Sequence, residues 1–95
     1  MENKEIYREK MEAKLAAWNA ELDKLTAKMR QTKADARLTY QDKIEEFRAK
    51  REDLRQRMDE LKGAGDEKWQ EVKAGVEKAA SKVLEALDKA KSSLH

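Results

Sequence analysis

From Met1 to Lys62 the chain contains neither glycine nor proline. Those two residues are the strongest local punctuators of structure, so the usual stop signals for a helix are missing over the run. It is also dense in Ala, Leu, Lys, Glu, Arg and Gln, the good helix formers. A continuous helix over 3–62 would reach roughly 90 Å at about 1.5 Å per residue. A rod of that length must find a partner for its apolar stripe. The whole chain has no proline, and its three glycines fall at Gly63, Gly65 and Gly75.

Composition narrows the possibilities. Ninety-five residues fit one small domain. Charged residues make up 44% and aromatics 5%, with a mean hydropathy of −1.08. Such polarity does not support a thick globular core; it suits disorder or a coiled coil, and periodicity decides between them. The net charge of +2, from 22 basic and 20 acidic residues, argues against a dedicated nucleic-acid binder, which carries a strong basic excess. The chain has no cysteine, so neither a disulfide frame nor a thiolate metal site is available. No apolar run approaches the roughly 20 residues of a membrane span. The first ten residues, MENKEIYREK, have no apolar core of a signal peptide. A cytoplasmic location is expected.

Periodicity favours helix. Apolar positions fall at Tyr7, Met11, Leu15, Trp18, Leu22, Leu25 and Met29, then Thr32 and Ala36, then Tyr40, Ile44 and Phe47, then Arg51, Leu54, Met58 and Leu61. Every step is three or four residues, the period of a helix stripe. Steps from Leu15 to Ala36 alternate three and four, a heptad pattern with a left-handed supercoil. Tyr7 to Trp18 and Ala36 to Phe47 step four, four, three, which relaxes that supercoil locally. The seam weakens at Thr32 and Ala36, and at Arg51, whose stem is expected to lie on the seam with its head in water. Glu46–Lys50 and Asp53–Arg57 stand at i,i+4 in the favourable acid-first order.

Lys62-Gly63-Ala64-Gly65-Asp66 is the one clear break. Gly63 is suited to the left-handed position that ends a helix, and Asp66 to the N-cap of the next. A turn at 63–65 then joins the long helix to a second one over 66–93. Its stripe is Trp69, Val72, Val76, Ala79 or Ala80, Val83, Leu87, Ala90 and Leu94. Gly75 in its interior costs about 1 kcal/mol relative to Ala; either a neighbouring helix or a tryptophan ring lies over it, or it is a tolerated surface glycine.

The second helix covers only half of the first. Two arrangements complete it. In one, two continuous helices cross antiparallel near Thr32, bringing Glu9 near the other chain's Arg55 and Glu21 near its Lys43. In the other, the chain turns near Thr32 and forms a monomeric three-helix bundle with many of the same contacts. Gln31-Thr32-Lys33-Ala34-Asp35-Ala36 offers no Gly, Asn or Pro for a tight turn. Lys68, Lys73, Lys82 and Lys89 would also repel the basic second half of the long helix unless acids from another chain relieved them. Both points favour the antiparallel homodimer.

Chemistry-bearing constellations are scarce. His95 is the single histidine, and Ser81, Ser92 and Ser93 lack the setting of a nucleophile. No catalytic, cofactor or metal residue is expected. Met11, Met29 and Met58 fall on the seam, where Met fills gaps. Arg48, Lys50, Arg51, Arg55 and Arg57 could touch phosphates, but Glu45, Glu46, Glu52 and Asp53 are interleaved with them, as on a solvated face. The stretch 72–87 could lie on a membrane as an amphipathic helix, although its balanced charge and Ala/Val face suit helix packing better.

The segments Tyr7-x-x-Lys10, Leu15-x-x-Trp18-x-x-x-Leu22-x-x-Leu25, Tyr40-x-x-x-Ile44 and Trp69-x-x-Val72-Lys73-x-Gly75-Val76-Glu77-x-Ala79 together resemble a family of short bacterial coiled-coil proteins associated with stress response. The resemblance runs over most of the chain, and the Trp-x-x-Val-Lys-x-Gly-Val-Glu block is its most specific part. It implies a soluble, non-enzymatic protein and supplies no catalytic residues. The expectation from sequence is therefore an all-α antiparallel helical bundle: a long coiled-coil helix with a shorter helix folded back on it. Its role is structural or interactive, through helix–helix self-association. Peripheral lipid binding through 69–94 and weak electrostatic nucleic-acid binding are the alternatives.

Overall fold

The computed structural model describes residues 3–93, which form three α-helices: α1 (Lys4–Arg30), α2 (Ala34–Gly63) and α3 (Trp69–Ser92). Leu94 and His95 lie outside the described residues. The fold is an all-α helical bundle, as the seam requires, but the long helix is not continuous. The chain reverses at Gln31, Thr32 and Lys33, and its longest dimension is 51 Å, well short of a 60-residue rod.

No residue at the reversal adopts a positive φ. Gln31 remains helical at φ −90°, ψ −5°, and Lys33 takes an extended conformation at φ −59°, ψ 148°. An all-negative-φ turn of this kind is open to any residue, which is why Gly, Asn and Pro are not needed. The carbonyls left open at the end of α1 are satisfied locally. The Thr32 hydroxyl donates to the Lys28 carbonyl at 2.9 Å, and the Arg37 guanidinium donates to the carbonyls of Thr32 at 3.1 Å and Arg30 at 3.4 Å. Thr32 is thus a turn residue and Ala36 is exposed; neither is a seam position.

At the other end of α1 the Asn3 side chain caps the Glu5 amide at 2.7 Å, relieving one of the first-turn donors. The Lys4 ammonium donates to the Ala64 carbonyl, which brings the start of α1 to the end of α2. The second turn also differs from expectation. Gly63 is the last residue of α2 rather than a left-handed cap, and Ala64, extended at φ −75°, ψ 130°, ends the helix. Asp66 lies in a turn whose Gly65 carbonyl accepts from the amides of Lys68 and Trp69. The second connection therefore spans 64–68, and α3 begins at Trp69, about two residues later than an Asp66 cap would place it.

α2 is the central helix, packed along both neighbours. The core comprises Tyr7, Met11, Leu22 and Leu25 of α1, Tyr40, Ile44, Phe47, Leu54, Met58 and Leu61 of α2, and Trp69, Val76, Ala79, Val83, Ala86, Leu87 and Ala90 of α3. Leu15, Trp18, Met29, Val72 and Ala80 are half-buried against it. Arg51 is half-buried on the seam, and its head donates to Asn19 Oδ1 at 3.1 Å. Acids of the same chain meet two lysines of α3. Lys89 lies 3.8 Å from Glu46, and Lys91 lies 3.8 Å from Glu21. Within the chain Glu21 is thus paired with Lys91, and Arg55 is held by Glu52 and Asp59. A second chain is not required to relieve Lys89 or to cover the first half of the long run.

Candidate functional site

Because α1 and α3 both run antiparallel to α2, they run parallel to each other, yet they approach closely at few points. Between them opens a groove of about 290 Å³. Tyr7, Met11, Lys14 and Trp18 form one wall, and Glu77, Ala80, Ser81 and Leu84 the other. The spacings four, three and four on α1 and three to four on α3 are helix stripes, so each wall is one face of one helix. Trp18 is half-buried, and Leu84 retains 51% of its surface.

Polar contacts bound the groove at both ends. At the amino-terminal end of the two helices, the Tyr7 and Trp69 rings sit 5.4 Å apart. The Lys73 ammonium stands 5.0 Å from the first ring centroid and 5.4 Å from the second, within cation–π range. Beyond Trp18 and Leu84, the Glu21–Lys91 pair spans the groove.

Three arginines of the basic cluster on α2 are paired with neighbouring acids. Arg55 donates to Glu52 at 2.6 Å and to Asp59 at 3.3 Å, Arg48 is paired with Glu45, and Arg57 lies 3.9 Å from Asp53. The hydrogen bond from Arg55 holds the Glu52 carboxyl below the usual carboxylate range, helped by the charges of Arg55 and Arg51; the same bond raises Arg55. These contacts describe a solvated, internally paired face. Burial pushes the Tyr40 phenol up, and its hydroxyl has no hydrogen-bond partner among the described residues.

Among the described residues there is no group of three or more His, Cys, Asp or Glu side chains that could hold a metal. No helix there is long and apolar enough to cross a membrane.

Comparison with protein-family models, curated proteins and solved structures finds no match.

Of the residues marked by the seam, Leu22, Leu25, Tyr40, Ile44, Phe47, Leu54, Met58, Leu61, Val76, Val83 and Leu87 are core. Tyr7, Met11 and Trp18 also form the α1 wall of the groove. The seam did not mark Leu84, Lys14, Glu77 or Ser81. A signal for Leu84 was present: Val83-Leu84 and Ala86-Leu87 are adjacent apolar pairs. Such pairs widen the apolar face of α3 beyond one stripe and place one member of a pair at the edge of the core.

Proposed function

We propose that this chain is a non-enzymatic helical interaction protein that acts through helix–helix association at the α1/α3 groove, self-association included, in bacterial stress response. One observation carries the reading: Trp18 and Leu84, two large apolar side chains, face an open groove on an otherwise heavily charged surface. Contiguous exposed apolar surface rimmed by charge is characteristic of protein contact sites. The stress-response setting rests on the sequence resemblance.

Packing over lipid binding is supported by the fate of the apolar face of α3. Trp69, Val76, Val83, Ala86, Leu87 and Ala90 are all buried inside the bundle, so that face is not free to enter a bilayer surface. Likewise, Arg48, Arg55 and Arg57 of α2 are paired with neighbouring acids, which favours a solvated face over a phosphate-binding one.

The test is survival of a bacterial host expressing the chain after heat or osmotic shock. Leu84→Lys charges the groove at an exposed position and should leave helicity and melting temperature intact. Protection by the wild type that is lost with Leu84→Lys supports the reading. Equal protection by both proteins, or none by either, contradicts it.

A further inference from the structure

We propose that Gln31–Lys33 is a hinge. Straightened into helix, it lets two chains exchange α1 and form a swapped dimer, a second folded form of the same sequence. Hinge opening does not depend on what the groove binds.

The hinge departs little from helix. Gln31 already has helical angles, at φ −90°, ψ −5°. Lys33 has a helical φ of −59° and leaves the helix through ψ, at 148°. None of the described residues has a positive φ, so no left-handed conformation has to be undone. The Thr32 hydroxyl donates to the Lys28 carbonyl four residues back, a bond that a continuous helix also accommodates.

Backbone hydrogen bonding favours straightening. Lys33 is the N-cap of α2 and supplies no side-chain cap bond. The Arg30 and Thr32 carbonyls accept from the Arg37 guanidinium. In an unbroken helix the amides of Ala34 and Ala36 take those two carbonyls. The first turn of α2 then ceases to be an uncapped end.

The apolar stripe runs through the hinge. Met29, Thr32, Ala36 and Tyr40 are spaced three, four and four. This eleven-residue unit keeps the stripes of α1 and α2 on one side of a straight helix. Each α1 can then take the place of the partner's α1 and remake the same contacts. The fold alone sets the direction of the two long helices. Within one chain Lys4 meets Ala64 and Asn19 meets Arg51, so α1 is antiparallel to α2, and the exchanged α1 must be so too. Each α1/α3 groove is rebuilt with α1 from one chain and α3 from the other, and the swapped form carries two.

Charge opposes the exchange. The segment 28–37 holds Lys28, Arg30, Lys33 and Arg37 against Asp35 alone, and the swap brings two copies of it together at the crossing. That repulsion disfavours the dimer at low salt and is screened at high salt. The partner's α1 also competes with the chain's own, which a short connection holds at an effective concentration on the order of millimolar. The folded-back monomer is therefore the form in dilute solution.

Refolding from urea tests the hinge. The chain is refolded at about 1 mM, the order of that effective concentration, in about 1 M salt, where the Debye length is about 3 Å. Light scattering after gel filtration is expected to show a fraction at twice the 11.0 kDa chain mass. Small-angle scattering should give it a length of roughly 90 Å. The chain has no cysteine, so Ala20→Cys with Ala49→Cys places two spin labels at exposed positions. The contact between Asn19 and Arg51 sets these positions near one level of the folded-back bundle. Labelled chain is refolded with a large excess of unlabelled chain, and the dimer is isolated. The label separation should rise from about 10–25 Å in the monomer to about 44 Å along a straight helix.

Ala34→Pro locks the hinge shut. Lys33 has the extended ψ that a residue before proline prefers, and Ala34 is the first residue of α2, where proline is favoured. Inside an unbroken helix the same proline is disfavoured about a hundredfold per chain. Ala34→Pro should keep the helicity and melting temperature of the monomer and yield no dimer. A wild type that stays monomeric under these conditions overturns the hinge. So does a dimer whose labels keep the monomer separation, or one that Ala34→Pro forms equally well.

Discussion

The ring of Tyr7 lies 5.4 Å from that of Trp69 with 36° between their planes. This tilted pair, under the Lys73 ammonium, is the main clasp between α1 and α3, which touch little elsewhere. Aromatic pairs of this geometry contribute about 0.5–1.5 kcal/mol beyond the area they bury. Trp69→Ala is expected to cost about 3–5 kcal/mol, the range for deleting a buried aromatic. In a double-mutant cycle with Tyr7→Leu, urea denaturation should show a coupling of about 0.5–1.5 kcal/mol. Additive effects would mean that the rings do not support each other.

Gly75 sits inside α3, and a Cβ built there would meet only Arg57, at 3.8 and 4.0 Å, ordinary contact distances. No tryptophan ring covers it. Gly75→Ala should therefore stabilise the fold by about 0.5–1 kcal/mol, the helix-propensity difference. A lower melting temperature would show that the Arg57 side chain cannot give way.

Tyr40 is buried with an unpartnered hydroxyl. Tyr40→Phe should be neutral or stabilising by up to about 1 kcal/mol, because it removes a desolvated group and no bond. The pH dependence has a definite sign. Burial raises the folded-state pKa of the phenol, whereas the unfolded chain ionises near the usual value of about 10. Above that pH the folded state holds more protons than the unfolded state, so stability falls as pH rises. The contribution of Tyr40 is complete below about pH 10 and is lost as pH climbs through the raised value. Denaturation curves at about pH 8 and pH 10.5 should differ less in Tyr40→Phe than in the wild type; identical differences would refute the assignment.

Arg37 holds the end of α1 through the carbonyls of Arg30 and Thr32. Arg37→Ala should cost about 1 kcal/mol, the worth of an exposed charge-assisted contact, and should raise hydrogen exchange at Gln31–Lys33 ahead of the core. Unchanged exchange there would show that the turn stands on backbone geometry alone.

Much of the fold was legible in the sequence. The three-and-four stripe from Tyr7 to Met29 and from Tyr40 to Leu61 marked the core faces of α1 and α2, and the glycines placed the α2–α3 connection. The reversal at 31–33 was not read because its signals are ones that a continuous helix also tolerates. They are a weakened seam at Thr32 and Ala36, basic Lys28 and Arg30 in a last turn, and acidic Asp35 in a first turn. An extended Lys33 needs no special residue, and Arg37 acts from seven residues away. The groove escaped for a different reason. A seam list asks which residues point inward, whereas Lys14, Glu77 and Leu84 form a surface only once α1 and α3 lie side by side.

The central claim is that one chain folds back on itself at Gln31–Lys33, leaving α1 and α3 to frame the groove. A distance measured within single chains tests it most directly. Spin labels at Lys4 and Lys62, in labelled protein diluted with a large excess of unlabelled chain, report only intrachain separation. The fold places these positions at the same end of the bundle, since the Lys4 side chain reaches Ala64. The expected separation is about 10–20 Å, one helix-to-helix spacing plus the label arms. A separation of roughly 90 Å, the reach of an unbroken helix between the two sites, would contradict it.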